Sequence, residues 1–251
     1  MMKHDFPEKA QIGVDGADKL YCETRINNAS VSRRAFVRSG LIATLATLMS
    51  PLAHSATWKE TQSKQQISQT ALLILDFQVG IGDEPYAKSA ARRAAAALKA
   101  GRSASLPVVF SKVKFREGYR DIADSNKAFE LIKTRNLIPP DASKLISILQ
   151  PGPDEIVVDK DRFCAFSGND LNEVLRSGDI KHLVMAGVVT SGVILSTFTL
   201  AADEDYSLTI LSDACADPKA SLHEELMTNL FPRSATVLTV DQWIASLPAK
   251  G

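Results

Sequence analysis

Residues 182–197, HLVMAGVVTSGVILST, constrain this chain more than any other stretch. Residues 183–186 form a short uninterrupted apolar run and read as a strand buried on both faces. Gly187 to Gly192 then makes a turn, and Val193, Leu195, Thr197 and Leu200 open a helix. Strand, tight turn and helix in that order are how a parallel α/β sheet builds a site at the carboxyl ends of its strands. The first N–H groups of a helix have no intrahelical partners, so they can face an anion or a polarised carbonyl oxygen. An ordinary strand-to-helix connection with a glycine at the turn fits the same spacing.

The pattern repeats along the chain. Apolar runs at 70–77, 106–112, 155–159, 183–186, 206–211 and 235–239 read as six strands. Between and after them, 86–101, 124–136, a short piece at 142–149, 169–176, 221–230 and 241–247 read as helices. Such alternation predicts a three-layer α/β/α fold around a six-stranded parallel sheet with right-handed crossovers.

The amino-terminal part has another character. Ser32-Arg33-Arg34-Ala35-Phe36-Val37 precedes a charge-free, mostly apolar run at 41–52, then Ala53-His54-Ser55-Ala56. A charged region, a short apolar core and small residues at its end make an export signal. The paired arginines resemble the twin-arginine type. The apolar run falls short of the ~20 residues that span a bilayer. Residues 1–56 are therefore expected to be an export signal with its lead, and 57–251 a single domain. The mature protein is expected in the periplasm or outside the cell, with no stable membrane anchor after processing.

Formal net charge is zero, without a basic stripe that would neutralise phosphates, so nucleic acid is not an expected partner. The four histidines are His4, His54, His182 and His223, and no C-x-x-C or H-x-x-H occurs. That leaves little material for a histidine-based metal site, and no metal or other cofactor is expected.

Asp76 lies at the end of the first strand, within Asp76-Phe77-Gln78. A carboxylate there costs free energy unless it is paired or used. Lys160 follows the third strand and leads into Arg162, Ala165, Phe166, Gly168 and Leu171. With the glycine-bounded turn, these motifs resemble those of the isochorismatase-like hydrolases, also called cysteine hydrolases, over about residues 70–247. The resemblance implies strand order 3-2-1-4-5-6, which sets Asp76 beside the Gly187 turn. It also implies that Asp76 and Lys160 are the catalytic pair, and that backbone N–H groups of Val189 and Val193 form an oxyanion hole. One of those donors would come from a non-proline cis peptide, Val188–Val189. The third strand lies two spacings from the first, about 10 Å, a distance that a lysine stem spans in large part. Gln78, Arg116, Tyr119, Phe166 and Thr190 are candidates for the substrate pocket, although Arg116 and Tyr119 fit a solvated loop and a packed ring equally well. A small-molecule substrate and a homo-oligomer are the implied partners.

Two departures matter. Asn169 replaces a threonine of the family pattern, and Val193 stands where the family carries its nucleophilic cysteine. A hydrocarbon side chain cannot attack a carbonyl, so thioester catalysis at this position is excluded. Three readings remain. Asp76 serves as acid or base for the substrate and a water, on a vinyl ether or an amide/C–N bond; Cys164 has taken over as nucleophile; or the pocket binds a small molecule without turning it over. For the first, a neighbouring Lys⁺ favours carboxylate, whereas an acid role needs burial. Cys164 and Cys215 follow strands about 19 Å apart. A disulfide needs Cα atoms within about 7 Å, so no bridge between them is expected.

Overall fold

The computed structural model describes residues 67–138 and 142–248. The expectation for residues 1–56 lies outside the described residues.

Six strands, β1 (Thr70–Leu75), β2 (Val108–Val113), β3 (Ile156–Lys160), β4 (His182–Val188), β5 (Ser207–Ala216) and β6 (Thr236–Leu238), form one sheet in the order β3-β2-β1-β4-β5-β6. Every pairing is parallel. The principal helices are α1 (Lys88–Ser103), α2 (Lys127–Thr134), α3 (Leu171–Ser177), α4 (Leu195–Asp203), α5 (Ala220–Glu225) and α6 (Val240–Ser246).

The period of two in β1 divides the core. Ala71, Leu73 and Leu75 join Leu183, Met185 and Phe198 on one side. Leu72 and Ile74 join Val184, Ala186 and Trp243 on the other. All six residues of β1 are buried, as a central strand covered on both faces requires. On the second side α1 offers Ala90, Ala91, Ala94 and Ala97, small residues that let the helix lie close to the sheet. Each buried leucine contributes roughly 2 kcal/mol through apolar area removed from water.

The chain order reverses between β1 and β4, whose neighbours Leu75 and Gly187 are in register. The crevice above these carboxyl ends is where an open α/β sheet binds ligands. Gly187 is required there: a Cβ on it would meet Leu75 Cβ at 2.7 Å and Leu75 O at 2.8 Å.

Two elements differ from expectation. The short helix at 142–149 is absent among the described residues. Leu145 instead bridges antiparallel to Gln78, Val79 N donates to Lys144 O (2.8 Å) and Ile146 N to Phe77 O (3.0 Å). The backbone leaving β1 needs partners, and this segment supplies them. The fifth strand runs to Ala216, beyond the expected 211, because an irregularity between Met185 and Gly187 shifts its register with β4.

Candidate active site

Three strand ends build the central cluster. Asp76 follows β1 in the left-handed region, φ 58°, a conformation that aspartate tolerates better than most residues. Its N–H donates to Ser111 O in β2 (3.0 Å), which fixes the backbone as the strand ends. Ser111 Oγ donates to Asp76 Oδ1 (2.7 Å), and Lys160 Nζ, from the end of β3, pairs with Oδ2 (2.7 Å). The lysine stem crosses the width of β2 to make that contact. Lys160 Nζ also donates to the carbonyls of Arg162 (2.8 Å) and Phe163 (3.0 Å). An ammonium has three N–H groups, so all three are committed. Asp76 is 4% exposed and retains lone pairs beyond these two contacts. The ammonium thus holds the carboxylate in place and leaves part of its acceptor capacity free.

The turn after β4 forms the second part. The Val188–Val189 peptide is cis, and residues Thr190–Ile194 wind as one wide π turn into α4. Gly192 N (3.0 Å) and Ile194 N (3.4 Å) donate to Val189 O. Ser191 N donates to Asp217 Oδ2 (2.9 Å), and Thr190 Oγ1 meets His223 Nδ1 at 2.9 Å. Val193 is buried and packs into the same apolar cluster as Leu171, Ile194 and Phe198.

The structure corrects several pocket candidates. Gln78 is fully buried: Oε1 accepts from Val113 N (2.6 Å), and Nε2 donates to the carbonyls of Val113 (3.1 Å) and Ala142 (3.2 Å). Its amide clamps backbones together, with both N–H groups spent inside the protein. Tyr119 packs against Phe115 and bonds Asn136 through its hydroxyl (2.6 Å). Phe166 lies against the apolar cluster near Tyr206, with ring centroids 6.2 Å apart. Thr190 is fully buried and turned to His223. Arg116 remains exposed, pairs with Asp121 (3.2 Å), and lines a cleft of about 290 Å³ together with Lys114 and Lys160. A wider cleft of about 820 Å³, lined by Val79, Leu145, Pro151 and Val157, touches neither Asp76 nor the turn. The buried ion pair, and not cleft volume, marks the candidate centre.

Ser111, Phe163, Asp217 and His223 were not singled out from the sequence. Phe163 is 39% exposed, stacks on Phe129 (4.5 Å), and has Cδ1 3.7 Å from where a Gly192 Cβ would lie. The K-x-R-x-x-A-F pattern around it pointed to this loop but not to Phe163 itself.

Cys164 and Cys215 are both free thiols. Burial pushes the Cys215 thiol up to about 12, with a smaller opposing contribution from the Gly187 backbone. Burial also lowers His223 below its ordinary value, against the raising influence of Asp217 and Glu224. Among the described residues no group of three or more His, Cys, Asp or Glu side chains is arranged to hold a metal ion.

This architecture is a known one. The Isochorismatase domain matches residues 70–242, and the chain belongs to the isochorismatase family. The isochorismatase family protein YecD of Escherichia coli is 26% identical over 182 residues, covering 71% of this chain and 96% of its own. The ureidoacrylate amidohydrolase RutB of Variovorax paradoxus is 26% identical over 205 residues, covering 71% of this chain and 81% of its own. An isochorismatase family protein structure from Burkholderia thailandensis superposes with a TM-score of 0.62 at 26% identity, covering 72% of this chain and 96% of that one.

Proposed function

We propose that this protein hydrolyses a small molecule at an amide or other C–N bond, or at a vinyl ether, with Asp76 as the proton-transfer group and no covalent intermediate on residue 193. The observation that carries the reading is the buried Asp76–Lys160 pair at 2.7 Å, with Ser111 on the other carboxylate oxygen. Membership of a hydrolase family and similarity to an amidohydrolase support the reaction class.

For a C–N bond the step balances without a nucleophilic side chain. A water oxygen bonds to the carbonyl carbon while Asp76 takes one of its protons. The carbonyl oxygen gains the negative charge, and backbone N–H groups of Val189 and Val193 are the donors assigned to it. Collapse expels the nitrogen, which receives the proton from Asp76. Lys160 keeps its positive charge throughout and orients the carboxylate. Val193 forces this route, because the position offers a hydrocarbon where a thiol would attack. The thiol of Cys164 has no hydrogen-bond partner among the described residues, so no base is placed to activate it there.

Purified protein incubated with a panel of amides, ureas and vinyl ethers, followed by chromatography of the products, tests the reading. Product formation with an unmodified intact protein mass during turnover is expected. Thermal shifts without product would make the site a binding module, and an acyl adduct on Cys164 would move the chemistry to that thiol.

A further inference from the structure

We propose that Asp217 and His223 are positioning residues that lock the 188–192 turn, and with it the backbone donors assigned to the substrate oxygen. The inference rests on the hydrolase reading for its catalytic consequence, but the lock itself is a statement about the turn.

β5 has extra residues between its pairs with Met185 and Gly187, so that Gly187 pairs with Cys215 and Val188 with Ala216. Asp217, the next residue, therefore arrives beside the turn, 8% exposed. One carboxylate oxygen accepts from Ser191 N (2.9 Å) and the other from Lys219 N (3.0 Å). His223, in α5, meets the hydroxyl of fully buried Thr190 at 2.9 Å. The two residues that follow the cis peptide are thus each tied, by separate side chains, to the segment after β5.

The contacts also sort the turn's donors. Ser191 N–H is consumed by Asp217, and those of Gly192 and Ile194 by Val189 O. A substrate oxygen can be served only by what this pattern leaves. Neither Asp217 nor His223 contacts Asp76 or Lys160 through any hydrogen bond or ion pair of the described residues, so both act through the turn. A misplacement of about 1 Å at such donors is enough to slow a reaction on the order of 10²-fold.

The test combines amide hydrogen exchange with kinetics on the full-length protein. In Asp217→Ala and His223→Ala, exchange in a peptide spanning 188–194 should quicken on the order of tenfold, the effect of losing about one hydrogen bond. On any substrate the wild type hydrolyses, kcat should fall on the order of 10- to 100-fold with KM little changed. His223→Asn, which keeps a polar atom near the Nδ1 position, should recover most of the loss. A Thr190→Val/His223→Ala double variant should be no slower than the worse single variant. Wild-type exchange in both alanine variants overturns the lock. So does a kcat loss that His223→Asn leaves unrepaired, because that pattern belongs to general damage. If the wild type hydrolyses nothing, the hydrolase reading fails, and the exchange comparison alone decides the lock.

Discussion

Lys160 spends all three N–H groups inside the protein, one on Asp76 and two on carbonyls of the loop after β3. It cannot donate to a substrate without breaking a contact, which separates its role from that of Asp76. Both groups are almost wholly buried, so removing one strands the other. Lys160→Ala is expected to cost about 3–5 kcal/mol, the penalty of an uncompensated buried charge. Urea unfolding measures it, and the double variant Lys160→Ala/Asp76→Ala should recover part of the loss; equal losses in single and double variants would contradict the pairing. Asp76 was legible in the sequence because it ends an apolar run, where a charge is conspicuous, and Lys160 because it opens a segment that resembles the family pattern. Ser111 was not. It sits inside VVFSKV with nothing to mark it, and only the parallel register of β2 with β1 turns its hydroxyl to Asp76.

At the scale of elements, the β4 turn depends on a close approach of two strands. Gly187→Ala places a methyl group within 2.8 Å of Leu75 O and 2.7 Å of its Cβ, distances that force the strands apart. A loss of about 1–3 kcal/mol is expected from this overpacking, read as a lower urea midpoint. An unchanged midpoint would show that the strands yield freely. Two histidines tie other elements together: His182 joins Thr70 of β1 (3.1 Å) to Thr209 of β5 (2.9 Å), and His223 joins α5 to the turn. Burial lowers both below the ordinary value of 6.5. The unfolded chain therefore takes up protons before the folded one does. Their contribution to stability is complete above 6.5 and is lost as pH falls through the lowered folded values. The urea midpoint should drop as pH falls from about 7 to about 5, and a His182→Gln/His223→Gln variant should show a shallower drop. Equal slopes in the two proteins would assign the loss to other groups. The strand pattern was readable from its apolar runs, whereas segment 142–149 was misread. Its residues answer the unpaired backbone after β1, a tertiary demand that local periodicity does not express.

At the scale of the whole molecule, strand order follows from the alternation of elements together with the family pattern, and the reversal between β1 and β4 gathers Asp76, Lys160 and the Gly187 turn at one end of the sheet. The pocket candidates were less legible. Gln78, Tyr119 and Thr190 lie close to the right motifs in sequence, but their polar atoms are consumed by neighbours that only the folded chain provides. The two free thiols differ in the same way. Cys215, buried and pushed up to about 12, should resist alkylation of the native protein at neutral pH, while half-buried Cys164 should label; labelling of Cys215 at a comparable rate would contradict its burial. The central claim is that a carboxylate held by a buried lysine transfers the proton where the chain has no thiol to attack. Its most direct test is the turnover of Asp76→Asn beside the wild type, on a substrate that the wild type hydrolyses. We expect kcat to fall by about 10²–10⁴-fold, in a variant that still folds but melts at a lower temperature, because buried Lys160 loses its counter-charge. Undiminished turnover in the folded variant would contradict the account.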